Sequence, residues 1–563
     1  MKWFGKATKY YQWTLVGCIL AGAEMSLHAA WSTIHNDFFQ IDQNGDPVHT
    51  RSGCLRKFND TYYWYGSAGG FTDQTCYSSH DLMHWTYKGV AIKAAGTNRM
   101  DVVYNDSTKQ YVMSLKTQNG TNCDMGIATC STPDGQFTLK GNYKVFGYQV
   151  GDPSVYQDDD GKAYYLFVWD SVPGANSGDK SEHAIALMSP DYLSLSQKLF
   201  VWHAGSREAP MMMKHNGLYY YLTSLTLWTT STATQYYTAT NIAGPYTTRL
   251  TPVITPGSTN SWDTQCDFVF TIKGTQGTVY MYCGDRWEKP NELRQGDYAW
   301  LPITFSSRDS VIINYYQDWE VELNAGIWRP FDYKRNLAMH KTATASSTSG
   351  SNSANNVTDS ATYSNFATTR WTSAVSDPQW ISVDLGSATS INRVILKWDT
   401  CYAKSFQIQV SDDAATWRDV FRTTAGGRRS VTDETFATTT ARYVRMYGTQ
   451  RGVTAKGYSL FDFMVLNDSL TTETTFKPAT SPLSSEALLT CRNNALYYSI
   501  PSGNSVKLEV VDTRGKLVAV LVDGFRQAGG HEAALPAALS RGIYLIRLTA
   551  GATKLATIKV AIF

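Results

Sequence analysis

The chain has 563 residues, which is more than one ordinary hydrophobic core holds and predicts three or four domains. Its 50 Lys and Arg residues nearly balance 48 Asp and Glu residues, and no basic stripe stands out, so we exclude nucleic acid as a partner. Beyond residues 1–30, no stretch is long and apolar enough to predict a membrane span.

Residues 1–30 have the pattern of a secretory signal peptide. Three lysines lie within the first nine residues, an apolar run follows over residues 13–23, and Ala29-Ala30 supplies small residues for cleavage. A lipoprotein box ending at Cys18 is the alternative, but Cys18 lies inside the apolar run, so ordinary cleavage is favoured. We therefore expect a bacterial protein, secreted or at the cell surface, whose other eight cysteines are free to form disulfides of open pairing.

Residues 31–332 form the first predicted domain. Short strands rich in aromatic and β-branched residues alternate there with Gly, Asn and Asp, and no sustained helical periodicity appears. The clearest strands are TYYWYG (61–66), KQYVMSL (109–115), KAYYLFV (162–168), GLYYYLTS (217–224) and GTVYMYCG (277–284). Small antiparallel sheets repeated at roughly even intervals favour a β-propeller, in which radial closure protects the sheet edges.

Three further segments complete the predicted organisation. Residues 336–467 contain strands such as WISVDLGS and INRVILKW, which predict a β-sandwich. Residues 468–485 are rich in Thr, Ser and Pro and form the predicted linker. Residues 486–563 contain VKLEVVDTRGKLV and GIYLIRLTAG, which read as hairpin strands of a small C-terminal β-sandwich module. The predicted fold class is therefore all-β throughout.

Two carboxylates are the first candidates for chemistry. Glu208 precedes an apolar strand, and desolvation in a cleft raises the pKa of such a group until it holds a proton near neutral pH. Asp152 likewise lies in a short loop that leads into a strand. Two placed carboxylates, abundant aromatic residues and an all-β pattern point to glycoside hydrolysis. The alternatives are a solvated surface Glu and a turn Asp beside Pro153.

The first domain resembles glycoside hydrolase family 43, most closely its exo-β-1,3-galactanase-like branch. The resemblance implies a five-bladed propeller that hydrolyses plant polysaccharides with inversion and without a catalytic cofactor. The segments that carry it are TYYWYG, YSSHDLMHW (77–85), DVVYNDSTKQYVMSL (101–115), GDPSVYQDDDGKAYYL (151–166), SREAP (206–210), GDRW (284–287) and YAWLPI (298–303).

The resemblance also implies catalytic roles. Glu208 is then the general acid, and Asp152 tunes the pKa of that acid and orients it. The Asp that activates water in most of the family is absent from the first inner strand, and Gln265 stands where the galactanase-like branch uses a Gln instead. A neutral amide is a poor base, so an imidic tautomer or a water relay is required. The replacement bases left open are Asp46, Asp101 and Asp267.

Five residues are expected to contact the sugar by the same resemblance: Arg51, Asn98, Thr226, Trp228 and Arg286. The branch has a His at the position of Arg51, a Glu at the position of Asn98 and a Glu at that of Ser67. These exchanges remove acceptors and add a fixed positive charge, so we expect a different, charged or substituted sugar, or a weak catalyst. A structural ion pair is the alternative for Arg286.

The second domain resembles discoidin-like, coagulation-factor type C sandwiches, as in family 32 carbohydrate-binding modules. The segments that carry this resemblance are NLAMHKTATASS, TTRWTS, QWISVDLG, SFQIQVSDDAATW, ARYVRMYG and GYSLFDFMV. It implies one structural calcium ion, with Asp359 and Asp462 in the matching segments; ordinary loop acids are the alternative. Trp398 and Tyr402 are either a sugar-stacking face or core residues.

The last module resembles the C-terminal sorting domains of type IX secretion, on the G-x-Y strand near Gly542–Tyr544. It implies contact with secretion machinery. The leading functional prediction is a secreted, inverting exo-glycosidase that acts on plant cell-wall polysaccharide such as β-1,3-galactan. The alternatives are an α-L-arabinofuranosidase or β-xylosidase, and a catalytically weak carbohydrate-binding protein.

Overall fold

A computed structural model gives the structure of the protein. It describes residues 31–68, 73–93, 96–119, 122–169, 182–227, 230–247, 250–287, 296–307, 310–359, 369–468, 489–492, 495–500, 504–512, 515–526, 529–536, 539, 542–550 and 553–562. Within these ranges the regular structure is β-strand, with two short 3-10 turns, so the predicted all-β class is confirmed. Within the same ranges, none of the helical turns has the length and apolar character to cross a membrane.

The first part of the chain starts with β1 (Trp31–His35), and five four-stranded antiparallel sheets follow in the described ranges. The first sheet is β2 (Arg51–Phe58), β3 (Thr61–Ser67), β4 (Asp73–Ser79) and β5 (Thr86–Lys93). The second is β6 (Thr97–Asn105), β7 (Gln110–Asn119), β8 (Asn122–Cys130) and β9 (Thr138–Tyr143). The third is β10 (Val150–Gln157), β11 (Ala163–Trp169), β12 (Glu182–Met188) and β13 (Leu195–His203).

The fourth sheet is β14 (Arg207–His215), β15 (Leu218–Leu225), β16 (Gln235–Ala239) and β17 (Thr251–Pro252). The fifth is β18 (Gln265–Lys273), β19 (Thr278–Asp285), β20 (Tyr298–Ser307) and β21 (Ser310–Ile313). The first strands contact one another in the order β2, β6, β10, β14, β18, and β18 also contacts β2. Apolar side chains such as Trp64, Tyr165, Tyr220 and Met281 are fully buried between neighbouring sheets.

A three-stranded sheet connects this part of the chain to the next. It combines β1 with β22 (Asp318–Glu322) and β23 (Ile327–Pro330), and the 3-10 turn η1 (Tyr333–Arg335) follows. The second region then contains β24 (Thr342–Ala345), η2 (Ala354–Thr358), β25 (Trp371–Thr372), β26 (Gln379–Trp398), β27 (Ala403–Ser411), β28 (Arg418–Thr423), β29 (Val431–Arg451) and β30 (Ser459–Leu466). The long strands β26 and β29 are each interrupted by register shifts, which let one strand bend around the core.

The core of the second region decides the role of Trp398. Its ring is fully buried against Phe406, and its Nε1–H donates to Thr432 Oγ1 at 3.0 Å. Trp398 is therefore a core residue and offers no face to a sugar, because its position on β26 points inward. Tyr402 is half-buried and packs at the edge of the same core.

Buried charges join the first region to the second. We name as the junction cluster six residues: His35, Asp318, Glu320, Arg393, Lys397 and Asp433. His35 Nδ1 lies 2.6 Å from Asp318 Oδ1, and its Nε2 lies 3.0 Å from Asp433 Oδ2. Lys397 Nζ lies 2.5 Å from Asp318 Oδ2, and Arg393 Nε donates to Asp433 Oδ1 at 2.6 Å. The cluster thus ties β1 and β22 to β26 and β29.

The last region contains two small sheets in its described residues. Their strands are β31 (Leu489–Arg492), β32 (Ala495–Ile500), β33 (Asn504–Asp512), β34 (Leu517–Arg526), β35 (Gly529–Ala534), β36 (Gly542–Ala550) and β37 (Thr553–Ile562). The sheet orders are β31-β32-β35 and β34-β33-β36-β37, around a core that includes Leu496, Val510 and Ile546. Elsewhere in the described chain, Cys54, Cys76, Cys123, Cys130, Cys266, Cys283 and Cys401 are free thiols.

Candidate active site

The first strands of the five four-stranded sheets share one irregularity near their N-terminal ends. A register shift interrupts the pairing at Arg51–Cys54, Asn98–Asp101, Val150–Pro153, Glu208–Met211 and Cys266–Phe268. Such a bulge bends the strand and re-aims the side chain beside it. Ser52, Arg99 and Ala209 adopt positive φ angles of 51°, 47° and 53° at these bulges, a conformation that costs side chains free energy and clusters at functional sites.

The bulges bring two of the predicted catalytic residues into direct contact. Gln265 Nε2 donates to Glu208 Oε1 at 2.5 Å, and both side chains are about 98% buried, with relative exposures of 2% each. Asp152 approaches from the third sheet, where its Oδ2 accepts from the backbone N–H of Ala209 at 3.2 Å. Glu208, Asp152 and Gln265 therefore converge at one end of the five sheets.

Arg99 and Lys116, which the sequence analysis did not single out, supply the positive charge at this place. Arg99 Nη2 donates to Gln265 Oε1 at 2.8 Å and its Nη1 donates to Asp267 Oδ1 at 3.0 Å. Arg99 Nε lies 3.5 Å from Asp152 Oδ2, and Lys116 Nζ lies 3.5 Å from Asp152 Oδ1. Both cations therefore offset the negative charge of Asp152.

The contacts of Gln265 fix the orientation of its amide. Its Oε1 accepts from Arg99 Nη2 and, at 3.1 Å, from Trp287 Nε1. Guanidinium and indole N–H groups are donors only, so the atom facing them is the carbonyl oxygen. An imidic tautomer would place a hydroxyl hydrogen on that oxygen against two donors. The surroundings therefore favour the amide form of Gln265.

Asp267 and Asp285 complete the group that we name the axial cluster: Arg99, Lys116, Asp152, Glu208, Asp267 and Asp285. Burial, followed by the charge of Asp285, raises the pKa of Asp267 well above its usual range. Burial also raises the pKa of Asp285 to about 6, although the charge of Arg99 opposes this. Asp285 Oδ2 accepts from the Ser52 N–H at 2.8 Å, and its Oδ1 is buried without a hydrogen-bond partner among the described residues.

The other carboxylates considered as bases have structural contacts. Asp101 pairs with Arg56, and its Oδ2 accepts from the Val155 N–H at 3.0 Å, so it joins the first three sheets. Asp46 is exposed in a turn, where its own backbone N–H donates to Asp42 Oδ1 at 3.1 Å. Of the three alternatives to Gln265, Asp267 alone belongs to the axial cluster.

The predicted sugar-binding residues differ in their contacts. Arg51 is half-buried, donates to Asp297 Oδ1 at 2.7 Å and lies 5.1 Å from the Trp287 ring centre, so its charge is already paired. Asn98 Oδ1 and Thr226 Oγ1 are buried acceptors that have no hydrogen-bond partner in the described part of the chain. Trp228 lies outside the described residues.

The structure corrects the prediction that Arg286 contacts the sugar. Its guanidinium is fully buried and its Nη1 lies 3.1 Å from Asp37 Oδ1, with Tyr315 beside it. A guanidinium held inside the protein by an ion pair has no surface to offer a sugar, so the alternative of a structural ion pair is the correct one. The sequence left this choice open because GDRW does not reveal which side of the strand end is buried.

The calcium prediction rests on two residues in separate elements. Asp359 is the C-cap residue that follows η2, and Asp462 lies on β30 opposite Lys397. The described residues contain no group of three or more His, Cys, Asp and Glu side chains placed to hold a metal ion. Residues 360–368, which follow Asp359, lie outside the described ranges. Calcium binding therefore stays a prediction.

Sequence patterns carried part of the signal for the residues that were missed. Arg99 stands beside Asn98 in TNRMD, and Asp285 stands in GDRW. A basic residue beside an expected sugar contact is a weak signal by itself. The positive φ of Arg99 and its reach across to β18 appear only in the folded chain.

Two family descriptions match the chain. Residues 48–299 match "Glycosyl hydrolases family 43", and residues 342–462 match "F5/8 type C domain". The chain therefore contains a glycosyl hydrolase family 43 domain followed by an F5/8 type C, discoidin-like domain. The predicted enzyme class, a hydrolase of O-glycosyl bonds similar to family 43, is confirmed by the first match.

Three similar proteins illustrate these matches. A β-D-galactofuranosidase, xynD, of Aspergillus niger is 26% identical over 245 residues, which is 39% of this chain and 69% of the relative. A solved exo-β-1,3-galactanase from Clostridium thermocellum is 26% identical over 56% of this chain and 73% of its own, with a TM-score of 0.48. A chitosan-binding module of a Paenibacillus sp. IK-5 chitosanase/glucanase is 47% identical over 24% of this chain and 98% of its own, with a TM-score of 0.22.

Proposed function

We propose that this chain is an inverting exo-glycosidase of the exo-β-1,3-galactanase type, with Glu208 as its general acid. One observation carries the proposal: the Glu208 carboxyl group accepts a hydrogen bond from Gln265 where the first strands of five sheets converge. We infer that these five sheets are the blades of a propeller over residues 31–332. Ligand sites of closed β-folds lie at such mouths.

The hydrogen bond from Gln265 determines which oxygen of Glu208 carries the proton to be transferred. Because Oε1 accepts from Gln265 Nε2, the proton to be transferred belongs on Oε2. Glu208 donates it to the departing glycosidic oxygen while water attacks the opposite face of the sugar. Asp152 orients this acid through the backbone N–H of Ala209, the residue that follows Glu208.

The attacking water needs a destination for its proton. Gln265 Oε1 already accepts from Arg99 and Trp287, so a water relay is favoured over the imidic tautomer. Asp285 is the acceptor we favour at the end of the relay, because a pKa of about 6 leaves it ionised at pH 7. Burial and the charge of Asp285 raise the pKa of Asp267 well above its usual range, so we do not choose it as this acceptor.

The substrate that we favour is β-1,3-linked galactan from plant cell walls. A β-D-galactofuranoside is the second candidate, because the Aspergillus niger relative is named for that activity. The pairing of Arg51 with Asp297 argues against a charged sugar at that position, since the cation is already neutralised. Sugar contact by Asn98 and Thr226 stays a prediction, because their side-chain oxygens are buried in this structure.

The remaining parts of the chain receive supporting roles in this proposal. We propose that residues 1–30 direct export, that residues 336–467 bind carbohydrate with Asp359 and Asp462 near a structural calcium ion, and that residues 468–485 are a linker. Residues 486–563 then serve as an address for secretion machinery. Export of a polysaccharide hydrolase brings it to a substrate too large to enter the cell.

The test compares wild-type protein with the Glu208→Gln variant on β-1,3-galactan, galactofuranosides, arabinofuranosides and xylosides. We expect wild type to release one monosaccharide with inverted anomeric configuration, read by proton NMR, and the variant to lose about 10³-fold in kcat. Asn216→Ala, in an exposed turn, is the matched control. Equal, background rates for wild type and Glu208→Gln on every glycan, with binding retained, would leave the carbohydrate-binding alternative.

A further inference from the structure

We propose that Arg99 is the positioning residue of this site, acting through Gln265 on the acid Glu208. This inference rests on the proposed function, since it assigns Arg99 a role in the same reaction. Its basis is the number of site groups that one guanidinium reaches. Arg99 contacts Gln265 Oε1 at 2.8 Å, Asp267 Oδ1 at 3.0 Å and Asp152 Oδ2 at 3.5 Å.

The geometry of Arg99 suits this role. Its side chain leaves β6 at a bulge with φ of 47° and crosses to β10 and β18, so one residue links three of the five sheets at the site. The guanidinium presents several N–H donors in a rigid plane, and each contact uses a different nitrogen: Nη2, Nη1 and Nε. A lysine has one ammonium group and reaches one of these partners at a time.

The consequence for Glu208 follows from the amide. With Oε1 held by Arg99, the Nε2 group of Gln265 points to Glu208 Oε1. Without that hold, Gln265 Oε1 loses its charged donor, and we expect the contact between Gln265 Nε2 and Glu208 Oε1 to weaken. Trp287 Nε1, at 3.1 Å, is a neutral donor and forms a weaker hydrogen bond than the charged Arg99 Nη2 at 2.8 Å.

The substitutions Arg99→Lys and Arg99→Met separate this role from simple support of the fold. Arg56→Lys is the matched control, because Arg56 is another arginine between neighbouring sheets that pairs with Asp101 and donates to Val102 O at 3.0 Å. All variants are made in the full chain, and their thermal unfolding is measured so that loss of folded protein is excluded from the kinetics.

The kinetic readout is the dependence of rate on the leaving group. A misplaced general acid slows alkyl glycosides, which need protonation, more than 2,4-dinitrophenyl glycosides, which do not. We expect Arg99→Met to lose about 100-fold in kcat on a β-1,3-linked galactose disaccharide. On the dinitrophenyl glycoside we expect a loss under about 10-fold. We expect Arg99→Met combined with Gln265→Ala to be no slower than Gln265→Ala alone, because both substitutions disrupt the same hydrogen bond from Gln265 to Glu208. Arg56→Lys is expected to leave the leaving-group dependence unchanged.

A crystal structure of Arg99→Met tests the same inference without any activity. We expect Gln265 to have moved out of hydrogen-bond distance of Glu208. An unchanged Gln265–Glu208 contact, or equal losses on both leaving groups, would overturn the role of Arg99. If wild type hydrolyses no glycan, the proposed function fails, and the crystal structure alone still decides whether Arg99 positions Gln265.

Discussion

The axial cluster and the junction cluster are both groups of buried charges, yet the pKa values of carboxylates in the two clusters are shifted in opposite directions. In the junction cluster Asp318 has Lys397 and His35 beside it, and Asp433 has Arg393 and His35. In the axial cluster Arg99 is shared by Asp152 and Asp267, and its field also reaches Asp285 and Glu208. The two clusters differ in how much positive charge lies beside each carboxylate.

The pKa shift of each carboxylate depends on the positive charge beside it. Burial by itself raises the pKa of Asp318, but Lys397 and the hydrogen bond from His35 outweigh it, so that pKa is lowered. The pKa of Asp433 is lowered for the same reason, with Arg393 as the principal partner. Burial prevails at Asp267 and Asp285, whose pKa values are raised. A well-paired carboxylate holds structure together, whereas an underpaired one is available for proton transfer.

The largest effect is expected when the junction cluster loses a cation. Arg393→Met leaves Asp433 buried and without its guanidinium partner, so we expect a loss of about 3–5 kcal/mol in the free energy of unfolding. Chemical denaturation at pH 7 measures it. Arg442→Met, which removes an exposed pair with Asp384, is the control and should cost below about 1 kcal/mol. A loss at Arg393 no larger than the control's would refute the structural role of the cluster.

The opposite sign is expected in the axial cluster. A raised folded-state pKa means that ionised Asp285 destabilises the fold, so stability falls as pH rises from about 4 to 6 and stays lower above that. Asp285→Asn should therefore stabilise the protein at pH 7 by up to about 3 kcal/mol and flatten this slope. Thermal unfolding between pH 4 and pH 8 is the measurement.

Asp318→Asn supplies the contrast to Asp285→Asn. The folded-state pKa of Asp318 is lowered, so its contribution to stability is present above the unfolded pKa of about 4 and disappears as pH falls through the folded value. This variant should destabilise the protein at pH 7. If the two variants changed stability in the same direction, the distinction between the clusters would be lost.

A smaller effect is expected at Trp287. Trp287→Phe removes the 3.1 Å donor to Gln265 Oε1 but keeps an aromatic ring near Arg51. A neutral hydrogen bond contributes about 1 kcal/mol, so we expect kcat to fall about fivefold. Steady-state kinetics on the best substrate measure this. A fall as large as that of Arg99→Met would mean that Trp287 holds the amide as firmly as Arg99 does.

The smallest effect is expected at His84, a half-exposed bridge between the two regions. Its hydrogen bond to Asp81 and its contact with Glu434 raise the pKa of His84 to about 10. The stabilisation is therefore complete below pH 6.5 and disappears as pH rises through about 10. Solvent screening limits it, so His84→Gln should cost less than about 1 kcal/mol at pH 7. A cost that persists at pH 11 would assign the effect to packing.

The sequence predicted the strands well because short runs of aromatic and β-branched residues bounded by Gly, Asn and Asp are a local signal. It identified Glu208, Asp152 and Gln265 through motifs, and the structure brings these side chains together. It could not choose among Asp46, Asp101 and Asp267, since the choice depends on which of these side chains joins the axial cluster in the folded chain. For Arg99 it gave only a weak signal, the position of this arginine beside Asn98.

The chain by itself determined an all-β architecture and two recognisable domains, because these depend on residue type and spacing. Its resemblance to family 43 supplied Glu208 as the candidate acid. Only the tertiary structure decided that Arg286 is a buried ion-pair partner, that Trp398 belongs to a core and that Arg99 stands among the site groups. The physical reason is that pairing of charges depends on distances of a few ångströms between residues that are far apart in sequence. Local patterns carry no information about those distances.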